Sequence, residues 1–158
     1  GVLAYLQFFY SPLTNELEFF GVDQRHESDI EGLGRIPSDQ QLKSKKVPSF
    51  NVIGNSPLVL RESLLDEVYT MGENFVEAAK RIVSPGMNGP FCIEGVYDEN
   101  AKFTSFEFSA RIVAGTNIYM DGSPYYSLLF NESMSMGRRI AREIKTADEK
   151  NEIEKIVT

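Results

Sequence analysis

The feature that most restricts this chain is a pair of alternating runs, Phe91–Tyr97 and Phe103–Ile112, joined by a short polar turn. In the second run Phe106, Phe108, Ala110 and Ile112 alternate with Glu107, Ser109 and Arg111. Period-two alternation predicts half-buried strands, and a turn at Asn100-Ala101 makes opposed residue numbers sum to a constant. Glu94 then faces Glu107, Ile93 faces Phe108 and Cys92 faces Ser109. This register puts apolar residues on one face and both glutamates on the other, and a one-residue slip would break it. Directly opposed residues lie about 5 Å apart. Two carboxylates there repel by roughly 3 kcal/mol at an effective dielectric of about 20. A divalent cation, a shared proton, or a solvated face on which Arg111 or Lys102 pairs with one glutamate would each relieve it.

Elsewhere the pattern is that of strands segregated from helices. Val2–Tyr10 and Glu16–Glu27 predict a long hairpin across Ser11–Asn15. Residues 32–49, rich in Gly, Pro, Ser and Lys, predict a mobile loop, and Phe50–Asn55 a short strand ending in a Gly-Asn turn. In Glu62–Val83, Leu64, Val68, Met71, Phe75, Ala79 and Ile82 recur at three and four, which predicts a helix, with Ser63 and Asp66 as a capping box. Residues 118–133 read as irregular, with Gly115, Gly122 and Pro124 in a turn-rich loop. Met136, Ile140 and Ile144 mark one face of a further helix, and residues 148–158 predict a short terminal one. Arg138, Arg139, Arg142 and Lys145 read as its solvated face. The expected class is α+β, a mostly antiparallel sheet flanked by helices in one domain.

Composition narrows function mainly by exclusion. The 158 residues carry a net charge of −7, which argues against nonspecific nucleic-acid or anionic-membrane binding. No apolar run approaches the ~20 residues that span a bilayer. A single cysteine, Cys92, excludes a disulfide framework and fits a reducing cytoplasm. Nothing accompanies it or His26, the only histidine, to make a nucleophile, so both read as packing or hydrogen-bonding residues. The dense strand-like run immediately after Gly1 suggests a piece of a longer protein.

Four blocks then resemble a known family. They are "FFYSPLTNELEFFGVDQRHESDIEGLGRIP", "VIGNSPLVLRESLLDEVYTMGENFVEAAK", "PGMNGPFCIEGV" with "FEFSARIVAGTN", and "GSPYYSLLFNESMSMGRRIAREIK". In this order they are similar to the archaeal PurP family, the 5-formaminoimidazole-4-carboxamide ribonucleotide (FAICAR) synthetases of ATP-grasp fold. The resemblance implies the C-terminal half of such an enzyme, with the N-terminal domain and the rest of the ATP clamp upstream. It implies an ATP- and formate-dependent ligase that formylates 5-aminoimidazole-4-carboxamide ribonucleotide (AICAR) through formyl phosphate. It implies Mg²⁺ (or Mn²⁺) at Glu94 and Glu107, ATP at Glu27, the nucleotide at Asn55, and Arg111 and Asn117 binding phosphate or formate. The Glu-x-Asn-x-Arg strand motif of ATP-grasp enzymes reads Glu107-Phe108-Ser109-Ala110-Arg111, so Ser109 departs from the pattern. A homo-oligomer is expected. Two other readings stand beside this one: a paralogue acting on another amine, and a noncatalytic nucleotide-binding or oligomerisation module.

Overall fold

A computed structural model describes residues 1–157. Five strands, Val2–Ser11 (β1), Glu16–Glu27 (β2), Val52–Leu58 (β3), Gly89–Tyr97 (β4) and Phe103–Ser109 (β5), form one sheet in the order β3-β2-β1-β4-β5. Every neighbouring pair is antiparallel, so the expected α+β class with an antiparallel sheet holds. The helices are Ile30–Leu33 (α1), Ser38–Ser44 (α2), Leu65–Ile82 (α3), Pro124–Phe130 (α4) and Met136–Glu149 (α5).

The apolar density of β1 has a simple cause: the strand is central and both its faces are covered. Leu6, Phe8 and Tyr10 join Phe19, Val22, Phe91 and Ile93 in a core closed by α3. Phe9 points the other way and packs with Phe20, Tyr119, Tyr126, Met134 and Met136 beneath α4 and α5. The stripe on α3 that goes deepest is Val68, Gly72 and Val76. Met71, Phe75 and Ala79 flank it, while Ile82 at the helix end is exposed. At Gly72 the helix rests directly on the sheet, because a Cβ there would come within 2.8 Å of the Phe8 ring and 2.7 Å of Leu17.

Several local expectations need correction. Residues 32–49, read as a mobile loop, contain the end of α1 and all of α2. The strand expected to end at a Gly54-Asn55 turn instead runs through both residues to Leu58, paired with β2. Pro57 is tolerated there because β3 is an edge strand. Ser63 makes no capping hydrogen bond. The stretch read as irregular holds α4, whose start is capped by Ser123 accepting from the Tyr126 N–H, with Pro124 in the first turn. The terminal stretch is a single 3-10 turn, Ile153–Lys155, and Thr158 lies outside the described residues.

The helix face assigned to α5 also shifts. Met136, Arg139, Glu143 and Ala147 are buried, and Ile144 is 51% exposed. Arg139 is therefore not on a solvated face. Its guanidinium donates to Glu18 at 2.8–2.9 Å and to Glu143 at 2.8 Å, and it lies 4.2 Å over the Phe9 ring. Tyr126 donates to Glu18 at 2.7 Å and Ser11 to Glu143 at 2.6 Å. These bonds account for the buried charge, which unpaired would be costly.

A polar face on the sheet as the candidate functional site

The β4–β5 hairpin has the expected register where it matters. Cys92 opposes Ser109, Ile93 opposes Phe108 and Glu94 opposes Glu107. Beyond Glu94 the register shifts by one, so that Gly95 opposes Ser105 and Tyr97 opposes Phe103. Phe106 is the extra residue of a bulge. Gly95 allows it, because a Cβ there would run into the Phe103 ring and the Thr104 carbonyl. The strand stops at Ser109, short of the expected Ile112, and Arg111 leaves the sheet.

Glu94 is 3% exposed and is not left facing Glu107 alone. Arg25 places a guanidinium nitrogen 3.5 Å from Oε2, and the Ser109 hydroxyl donates to Oε1 at 3.1 Å. Neither Arg111 nor Lys102 is its partner. Arg25 is itself held over the Tyr5 ring at 4.1 Å. Glu107 is exposed and makes no ion pair or side-chain hydrogen bond among the described residues. Repulsion between the two carboxylates is thus reduced by Arg25 on one side and by water on the other.

Register carries the same face across to β3. Tyr5 opposes both Asp23 and Glu94, and Arg25 opposes Asn55. Asp23 is 1% exposed and accepts from the side-chain amides of Gln7 and, at 2.5 Å, Asn55. Burial raises the Asp23 carboxyl above its ordinary range, and the two amides and Arg25 pull it back in part. Burial also raises the Tyr5 phenol, against the pull of Arg25. Glu27, at the end of β2 two residues beyond Arg25, is near enough for its charge to act on the same phenol, as do those of Glu94 and Asp23. Its carboxylate makes no ion pair among the described residues, while its backbone N–H donates to Glu31.

The face therefore gathers Glu27, Asn55, Glu94 and, opposite it, Glu107. Neither of the remaining two candidates makes a side-chain hydrogen bond or ion pair with these residues among the described residues. Arg111 is exposed and its guanidinium donates only to the neighbouring Ile112 carbonyl, at 3.0 Å. Asn117 is exposed on the 3-10 turn Ala114–Tyr119, which packs on β2 and β3. Tyr5, Gln7, Asp23 and Arg25 were missed by sequence reasoning. The signal was available: Gln7 is the one amide in the apolar run Val2–Tyr10, and Asp23 and Arg25 continue the alternation toward Glu27.

The other polar candidates are packing residues, as expected. Cys92 is fully buried, and burial, then Glu94 and Asp23, push its thiol far up, which leaves no thiolate to attack anything. His26 bonds Glu31 at 3.0 Å and Ser56 at 2.9 Å. No cluster of three or more His, Cys, Asp or Glu side chains among the described residues is placed to hold a metal by itself. Glu94 and Glu107 nonetheless suit a hard cation that takes one or two protein carboxylates and completes its shell with water and phosphate oxygens.

The chain matches, over residues 1–158, the model of a family described as a domain of unknown function, DUF1297. It is 85% identical over its full length to a protein of Nitrosopumilus maritimus named 5-formaminoimidazole-4-carboxamide-1-(beta)-D-ribofuranosyl 5'-monophosphate synthetase. It is 50% identical to the protein of that name from Saccharolobus solfataricus. The chain spans 46% and 47% of these two relatives. A crystal structure titled as an IMP biosynthesis protein PurP from Thermococcus kodakaraensis matches the whole chain with a TM-score of 0.79 and 36% identity, over half of that protein.

Proposed function

The chain belongs to the DUF1297 family, and from that premise we propose that it is half of an ATP- and formate-dependent ligase of ATP-grasp type that formylates AICAR to FAICAR. The observation that carries the reading is identity of 85% and 50%, over the whole of this chain, to relatives named for that product. The polar face is consistent with it, because it offers carboxylates, a guanidinium and an amide but no nucleophile of its own. None is needed when formate is the nucleophile.

In this reading formate attacks the γ-phosphorus of ATP and ADP leaves. The AICAR amine then attacks the formyl carbon, the C–O bond to phosphate breaks, and the amine loses a proton. Bound Mg²⁺ (or Mn²⁺), held by Glu94 and Glu107, would neutralise charge on the ATP phosphates. Arg25 and Ser109 keep Glu94 in one orientation, which fixes the direction of its carboxylate before any ligand arrives. Arg111 has no acidic partner among the described residues to give up, so its guanidinium can reach phosphoryl oxygens as charge builds on them. Glu27 contacts ATP, Asn55 the acceptor nucleotide, and Asn117 formate or phosphate.

The test is turnover of formate, ATP and AICAR by the full-length protein carrying this chain. Glu107→Gln should lower kcat by about a hundredfold or more, since it removes a carboxylate aimed at the transferring phosphoryl group. Undiminished turnover in that variant would sink the metal assignment.

A further inference from the structure

Asp23 is a buried carboxyl for which the proposed reaction has no use. It is locked from three sides. Gln7 donates to Oδ1, Asn55 donates to Oδ2, and the backbone of the 3-10 turn lies so close that a Cβ on Gly115 would run into the carboxylate. When ionised, the Asp23 carboxylate accepts at both oxygens. The Asn55 atom 2.5 Å from Oδ2 is its amide nitrogen, and its carbonyl Oδ1 is turned the other way. That oxygen has no partner among the described residues and is not one of the buried unpartnered atoms, so it reaches solvent.

We propose that Asp23 is a positioning residue that fixes the polarity of Asn55, so that the asparagine meets its ligand only as a hydrogen-bond acceptor. An unanchored asparagine turns its amide to suit either a donor or an acceptor. An anchored one selects a ligand group bearing N–H or O–H, such as an amino group, a carboxamide NH₂ or a sugar hydroxyl, and disfavours a phosphate or carbonyl oxygen. This rests on the reading that Asn55 contacts the acceptor nucleotide. Selection by buried, pre-oriented polar groups is strong because a mismatched ligand leaves them unpaired.

The experiment uses the full-length protein and measures KM for AICAR and for ATP separately. Asn55→Asp keeps an outward oxygen but sets two carboxylates against each other, and should raise the AICAR KM about tenfold or more, leaving the ATP KM within about twofold. Asp23→Asn combined with Asn55→Asp restores a donor–acceptor pair in the reverse sense and keeps the outward acceptor. That double variant should return the AICAR KM to within about threefold of wild type, whereas Asn55→Ala should not. A double variant with an AICAR KM as high as that of Asn55→Ala overturns the proposal, and this comparison holds even if Asn55→Asp alone fails to fold. An Asn55→Ala enzyme with an unchanged AICAR KM overturns the assignment of Asn55 to the nucleotide, and the proposal with it. A raised KM in Asn55→Ala without rescue in the double variant overturns the proposal alone.

Discussion

At Asp23 burial and hydrogen bonding act in opposite directions on one carboxyl. Burial raises it, the Asn55 and Gln7 amides lower it, and burial prevails. A carboxyl held higher in the folded state than in the unfolded chain binds its proton more tightly when folded. Its contribution to stability is therefore greatest below the ordinary carboxylate range and is lost as pH rises through the folded value. Asp23→Asn removes that loss, while setting its NH₂ against the amide nitrogen of either Gln7 or Asn55. The stability of the variant relative to wild type should increase as pH rises above about 4, read as urea midpoints. A difference independent of pH would show that the carboxyl is not raised. Glu94, by contrast, was legible as a residue but not in its partnership. Alternation placed it opposite Glu107, yet Arg25, from two strands away, is its charged partner.

Among the elements, α5 departs furthest from its sequence pattern. Counting isoleucines put Met136, Ile140 and Ile144 inward; Met136 and Ile140 do pack on the core, but Ile144 is half exposed and the fully buried stripe is Met136, Arg139, Glu143 and Ala147. Periodicity weighs hydrophobicity and cannot see that Glu18 and Ser11, on the sheet, wait for a guanidinium and a carboxylate. Burial works against the Arg139 charge, and the hydrogen bonds to Glu18 and Glu143 outweigh it, holding the group above its ordinary value. Arg139→Met should destabilise the protein by about 3–5 kcal/mol, because two buried carboxylates lose their partner. A loss under about 1 kcal/mol in chemical denaturation would show that water reaches them. The approach of α3 gives a second measurement. Alanine at Gly72 would gain about 1 kcal/mol in helix propensity, but its Cβ collides with Phe8 and Leu17. Overpacking of this kind costs roughly 1–3 kcal/mol, so Gly72→Ala should lower the unfolding midpoint. A raised midpoint would mean that the Leu17 and Phe8 side chains move aside freely.

For the whole molecule, the chain spans less than half the length of the curated relatives described above. The polar face supplies carboxylates and an amide, and neither Arg111 nor Asn117 is bonded to them among the described residues. We therefore expect the 158 residues alone to form no detectable FAICAR from AICAR, formate and ATP, where the full-length protein does. Turnover by the short chain at a comparable rate would mean that this face is a complete site.

Features that depend on periodicity can be read from the residues alone: the antiparallel class, the Glu94–Glu107 register and the long α3. These follow from local geometry, since side chains two apart on a strand or three to four apart on a helix share a face in any context. Which polar groups meet depends on how the strands and helices assemble. Asp23 with Asn55, Arg25 with Glu94, and Arg139 with Glu18 join residues 32, 69 and 121 positions apart. Whether a charge is buried, and by what it is satisfied, depends on strand order and on the two helical layers, which no single stretch encodes. The Glu107 strand illustrates both. Its alternation was read from the sequence, but its place at the sheet edge leaves Phe106 and Phe108 more than half exposed and Glu107 without a protein partner among the described residues.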